Sequence, residues 1–220
     1  MKKVIKKFIN NQLLGNTILF VIILCLIISS QLFSNYPMGQ SINRVIFNVL
    51  IVTSLLSIKQ GFNKLFTFAL ITVISIEVIS YIIHIPYLEF ISEGLKILFF
   101  ANIVYLLFRQ VASSKRVDNR VILEAINVYL LFAIIGSLFA TIIYLGNNNA
   151  FLFNTIDNPN YSDFFYFATI TVTTIGYGDI TPVTNSAQLL TMILGLGGQL
   201  YITLVLAMLV GKYLSAPSKK

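Results

Sequence analysis

Six apolar stretches recur along the chain, at roughly 17–33, 42–58, 65–85, 90–108, 121–145 and 187–211. Each approaches the ~20 residues that a helix needs to cross a bilayer, the first, second and fourth falling somewhat short. Charge is scarce: 10% of the 220 residues are charged and 57% are hydrophobic, where an ordinary soluble domain carries about a quarter charged residues. With a mean hydropathy of +0.85, the chain reads as a polytopic, all-α membrane protein.

The charges that do occur are sorted. The net charge of +7 sits in short segments between the apolar stretches, so it reads as a topology signal rather than a nucleic-acid surface. With the N-terminus in the cytosol, 13 of the 15 Lys and Arg residues fall on the cytosolic side, and only Arg44 and Lys96 fall elsewhere. Both termini are then cytosolic. The outer segments hold Glu89, Asp157, Asp163 and Asp179. A cell-membrane, multi-pass location follows. Residues 1–16 read as a cytosolic or interfacial segment in which Lys2, Lys3, Lys6 and Lys7 alternate with apolar residues, either as an interfacial helix or as a basic tail. The single Cys25 allows no intrachain disulfide, and one His with one Cys gives no zinc cluster. No nucleophile, acid and base come together, so an enzyme is not expected. The abundance of Ile, Asn and Lys points to an AT-rich bacterial genome.

Between the last two apolar stretches the pattern breaks. Residues 146–160 are polar and turn-rich, an exposed turret. Ser162 to Thr173 is apolar but too short to cross, so a re-entrant helix is expected, with Ser162 as its N-cap and Asp163 in its first turn. If that helix enters from outside, its partially negative C-terminal end points to the membrane centre and favours a cation there. Next comes Thr171-Val172-Thr173-Thr174-Ile175-Gly176-Tyr177-Gly178-Asp179. Gly176 and Gly178 admit backbone angles closed to other residues. A strand alternating such angles turns successive carbonyls to one side. Four such strands around an axis would stack rings of oxygens able to replace the water shell of a cation.

Thr174-Ile175-Gly176-Tyr177-Gly178 resembles the selectivity filter of potassium channels, with Ile175 where valine is more usual. The match runs from about Tyr161 to Gly198 and is similar to bacterial channels of the six-transmembrane, one-pore-loop type. The resemblance implies six spans, a re-entrant pore helix and a filter loop, with K+ held at Thr174, Ile175, Gly176 and Tyr177. It implies that the Tyr177 ring points away from the pore and braces the filter. It also implies that Thr173 and Asp179 support the outer mouth, with Asp179 bonded to an aromatic on the pore helix, here Tyr166. Where the family often has a Trp pair, this chain offers Tyr166-Phe167. One filter and no internal repeat imply a homotetramer, K+ as the permeant ion and no other cofactor.

The remaining candidates follow from position. Gly195, Gly197 and Gly198 weaken the last helix. Gly198 matches where similar channels place a gating hinge, and close helix packing explains the three glycines equally well. Gln199 faces either a water-filled cavity or a neighbouring helix. In similar voltage-gated channels the fourth helix carries a basic residue at every third position, whereas 90–108 offers only Lys96, with Arg109 at its inner end. The expected domains are therefore a four-helix, voltage-sensor-like region without gating charges (17–108), a basic cytosolic linker (109–120), a pore domain (121–213) and a short cytosolic tail (214–220). Counting from the outer helix ends places Glu77 about 12 Å and Lys96 about 9 Å deep. A pair between them is expected, against the rival in which Lys96 reaches Glu93 or Glu89. His84 reads as an interfacial histidine or an external pH sensor. The linker 109–120 reads as ordinary positive-inside charge or as a contact for anionic lipid or a regulatory partner. A non-selective cation channel and a potassium uptake transporter subunit are the alternatives.

Overall fold

The computed structural model describes residues 12–33, 36, 38–59, 64–83, 85–154 and 159–214. The basic N-terminal segment, His84, Asp157, Lys219 and Lys220 lie outside them. The elements in order are α1 (Gln12–Leu32), α2 (Gly39–Leu56), α3 (Lys64–Ile83), α4 (Pro86–Ser113), α5 (Asn119–Gly146), β1 (Phe151–Phe153), α6 (Tyr161–Val172), β2 (Ile180–Pro182) and α7 (Asn185–Leu214). Among the described residues, α1, α3, α4, α5 and α7 are long and apolar enough to cross a membrane. The apolar part of α2, Ser41–Leu56, is shorter than the others. The stretch expected at 42–58 is thus a helix, but one of about 27 Å at 1.5 Å per residue.

Helix ends follow local chemistry. α4 begins at Pro86, whose missing N–H costs nothing at a first helical position. Asp118 caps α5 by accepting from the Val121 N–H at 3.0 Å. α4 runs to Ser113, so the non-helical connection to α5 is 114–118.

Contacts divide the chain into two compact units. The first comprises residues 1–67, 102–129 and 201–220. Here α1 and α2 run antiparallel. Ser29 Oγ donates to Asn43 Oδ1 at 2.8 Å near one end, and Ser57 Oγ donates to the Gly15 carbonyl at 3.2 Å near the other. Gly15 is needed for that approach, because a Cβ there would run into the Leu56 carbonyl. Asn127 ties α5 to α1 by donating to the Asn16 carbonyl at 2.9 Å. Val111, Val121, Ala125 and Val205 form an apolar cluster, flanked by Tyr201, whose hydroxyl donates to the Ala125 carbonyl at 2.7 Å.

The second unit comprises residues 68–101 and 130–200 and holds α6 with the segment that follows it. One face of α6 (Phe164, Phe165, Phe167, Ala168, Ile170, Val172) is buried. Phe151 packs edge-on against Phe164 and Phe167, at 5.8 and 5.2 Å, and Tyr144 lies 5.1 Å from Phe164. Such ring pairs contribute about 0.5–1.5 kcal/mol each beyond their buried area. The expected turret is not wholly loop. Phe151–Phe153 pairs antiparallel with Ile180–Pro182, Phe151 opposite Pro182 and Phe153 opposite Ile180.

Candidate functional site

The site is built on the C-terminal end of α6. The N-cap is Asn160 rather than Ser162: Asn160 Oδ1 accepts from the Ser162 N–H at 2.8 Å, and Asp163 returns the contact by accepting from the Asn160 N–H at 2.7 Å. This capping box fixes where the helix starts. Ser162 itself is buried inside the first turn.

At the other end the last carbonyls are turned over to the segment that follows, Thr174–Gly178. The Thr173 hydroxyl donates to the Thr169 carbonyl at 2.7 Å. The Ile170 carbonyl accepts from both Ile175 N–H (2.9 Å) and Gly176 N–H (3.1 Å), and the Thr171 carbonyl accepts from Thr174 N–H at 3.0 Å. The segment therefore leaves α6 tethered to the helix end whose partial charge is negative.

Along Thr174–Gly178 the backbone alternates. Thr174 (φ 61°), Gly176 (φ 53°) and Gly178 (φ 81°) are left-handed, whereas Ile175 and Tyr177 are not. Alternating handedness turns consecutive carbonyls towards one side. Glycine serves at two of the three left-handed positions, and Thr174 bears the cost that a β-carbon adds there. A Cβ at Gly176 or Gly178 would meet nothing within 4 Å. The backbone angle, not space, selects glycine there.

The exit of the segment is clamped by Asp179. Its Oδ2 accepts from the Tyr166 hydroxyl at 2.7 Å, and its Oδ1 accepts from the Ile180 N–H at 3.1 Å. The Asp179 carbonyl accepts from Asn154 N–H at 3.2 Å. Burial, followed by the Asp179 carboxylate, pushes the Tyr166 phenol up to about 12, so it remains a hydrogen-bond donor through the neutral range. Tyr166→Phe deletes this charge-assisted bond. It is expected to destabilise this exit by about 1.5–3 kcal/mol, seen as a lower unfolding temperature of the purified protein. An unfolding temperature matching wild type would remove Tyr166 from the clamp. Asn154 could not be anticipated from sequence, because nothing local marks an asparagine whose partner lies 25 positions away.

Tyr177 is 72% exposed in the single chain. Ile175 is 54% exposed.

The three glycines of α7 differ. A Cβ at Gly198 would run into the Val172 carbonyl at the end of α6, and one at Gly197 would lie 2.7 Å from Phe132 Cζ, whereas one at Gly195 meets nothing within 4 Å. Gly197 and Gly198 sit where elements approach closely; Gly195 does not. Accordingly, Gly198→Ala is expected to lower the unfolding temperature of the purified protein. Gly195→Ala is expected to be neutral or to stabilise by up to ~1 kcal/mol. Equal effects would contradict this assignment. Gln199 is exposed.

Glu77 and Lys96 are brought together. Lys96 Nζ lies 2.7 Å from Glu77 Oε2 and 2.6 Å from Glu93 Oε1, and Ser92 Oγ donates to Glu77 Oε2 at 3.0 Å. The lysine thus sits between both carboxylates, so the expected pair and its Glu93 rival coexist. All three side chains are buried.

Residues 126–215 match a family model described as ion channel, which covers less than half of the chain. A hyperpolarization-activated voltage-gated potassium channel of Methanocaldococcus jannaschii is 58% identical over 31 residues, 14% of this chain and 15% of that one. A two-pore potassium channel 4 of Arabidopsis thaliana is 35% identical over 63 residues, 29% of this chain and 22% of that one. The matches thus span less than a quarter of either relative. No solved structure matches. Membrane-length helices among the described residues thus accompany a stretch, 126–215, that is similar to ion channels.

Proposed function

We propose that this chain is the subunit of a potassium-selective channel that conducts K+ passively through a pore shared by four copies. Each chain would cross the cell membrane six times with both termini in the cytosol. The observation that carries the reading is the alternating left-handed backbone at Thr174, Gly176 and Gly178, on a segment tethered to the C-terminal end of α6. Carbonyls turned to one side in this way can replace a hydration shell only when several copies surround the ion. Such an assembly also accounts for the exposure of Ile175 and Tyr177, and of Met192, Ile193 and Leu196 on α7. The similarity of residues 126–215 to ion channels, and the potassium-channel names of two relatives, support it.

The same reading assigns no steep voltage gating. Such gating takes about 3–4 charges per subunit, and the one lysine within 90–108 is held between two carboxylates. Purified protein in potassium-loaded liposomes should release K+ down its gradient, and its mass in detergent should be that of four chains. A monomeric mass together with tight liposomes would sink the proposal.

A further inference from the structure

In the first unit an open cleft of about 190 Å³ lies between the segment following α2 and the last turns of α4. Ile58, Lys59, Leu106, Arg109, Gln110 and Ser113 line it. We propose that this cleft binds a phosphate group, carried by an anionic phospholipid of the surrounding leaflet.

The charge of the cleft is one-sided. Lys59 and Arg109 are exposed, no carboxylate lines the cleft, and among the described residues neither cation has a hydrogen-bond or ion-pair partner. Glu124, the carboxylate that feels Lys59, is buried and has Arg120 Nη1 at 3.7 Å from its Oε1. The negative end of α4 does not repel an anion either, because Lys212 Nζ donates to the Val111 and Ala112 carbonyls at 3.0 and 2.8 Å.

The second observation is Gln110. It is only 9% exposed, and neither its Nε2 nor its Oε1 has a partner. Buried amides are nearly always satisfied, so an unpaired one lining a cleft marks a place for a ligand. Both atoms are closed off from solvent, so a turn of the Gln110 side chain would bring Nε2 to a phosphate oxygen alongside the two cations and Oε1 to a headgroup hydroxyl. The source follows from the rest of the wall. Leu106 offers an apolar surface near the end of a membrane-length helix, with Ile58 buried beside it, and the basic residues clustered there face the cytosolic leaflet by the positive-inside rule. An amphipathic ligand fits both.

The test measures binding and needs no conduction, so it stands apart from the channel reading. Full-length protein equilibrated with vesicles of equal phosphatidylcholine and phosphatidylglycerol is transferred to the gas phase from detergent, and retained phosphatidylglycerol is counted per chain. Arg109→Gln should lower retention about fivefold, the factor equivalent to one basic residue at an anionic surface. Gln110→Met should lower it as well. Arg116→Gln, whose charge lies outside the cleft, should leave it unchanged. Gln110→Met also controls for folding: it removes an unpaired amide, so its unfolding temperature in phosphatidylcholine should not fall below wild type. Retention by Gln110→Met at the wild-type level, or an equal loss in Arg116→Gln, overturns the site. In a separate arm, millimolar inorganic phosphate is added to protein in phosphatidylcholine. A rise in unfolding temperature matching that given by phosphatidylglycerol would overturn the lipid source in favour of a free anion; no rise supports the lipid.

Discussion

Gly178→Ala is expected to abolish potassium current while leaving a folded, membrane-inserted chain. Gly178 lies at φ 81° with nothing within 4 Å of where a β-carbon would stand, so the substitution meets no clash. What it meets is the left-handed backbone, which costs an L-residue about 1–2 kcal/mol. In the proposed assembly every ring of oxygens repeats that cost in four chains. Even the lower figure then amounts to about 4 kcal/mol, roughly a thousandfold in the population of the intact ring. Ile175→Val is the matching control. Ile175 is not left-handed and in the proposed assembly would contribute only its carbonyl, so current and selectivity should survive. Single-channel recording of both variants decides. A Gly178→Ala channel with wild-type conductance and selectivity would show that the alternating backbone is not what conducts.

Lys96→Met is expected to be strongly destabilising. Lys96 is 4% exposed, Glu77 8% and Glu93 7%, and Lys96 is the cation between the two carboxylates. Removing one partner from a buried ion pair leaves an uncompensated charge and costs about 3–5 kcal/mol. Here two carboxylates would be left facing each other. Glu77→Gln should cost less, because Lys96 keeps Glu93. The double variant Glu77→Gln, Lys96→Met should be less destabilised than the sum of the singles, with a coupling of about 1–3 kcal/mol, read from equilibrium unfolding in detergent. Additive effects would mean that the 2.7 Å contact contributes nothing to stability. This cluster is also the physical reason for expecting weak voltage dependence, since a lysine held by two acids is not free to move through the field.

How legible these features were depended on whether their chemistry was contiguous. The segment Thr174–Asp179 needs two glycines at alternate positions beside short hydroxyl residues, and all of them lie next to one another. The start of α6 was written as plainly, in Asn160 and Asp163 three residues apart, yet Ser162 has the same capping chemistry and stands nearer the apolar run. The spacing of Glu93 to Lys96 was visible along one helix. Glu77 entered only by counting depth on another. The β1–β2 ribbon was out of reach, because three residues are too few to show a period and its partners lie 27 to 31 positions apart. The glycines of α7 left hinge and packing open, since composition does not say what a β-carbon would touch. Basic residues near 109 suggested a lipid contact, but the burial of Gln110 beside them could not be read from a run of letters.

Selectivity of the proposed pore is decided by a bi-ionic recording. Purified protein in a planar bilayer is placed between potassium on one side and sodium on the other, and the current is swept in voltage. The expected reversal potential lies close to the potassium equilibrium value, with open probability changing only weakly across the sweep. A robust current reversing near zero would contradict it, because oxygens that admit sodium as readily as potassium are not the rings proposed for Thr174–Gly178.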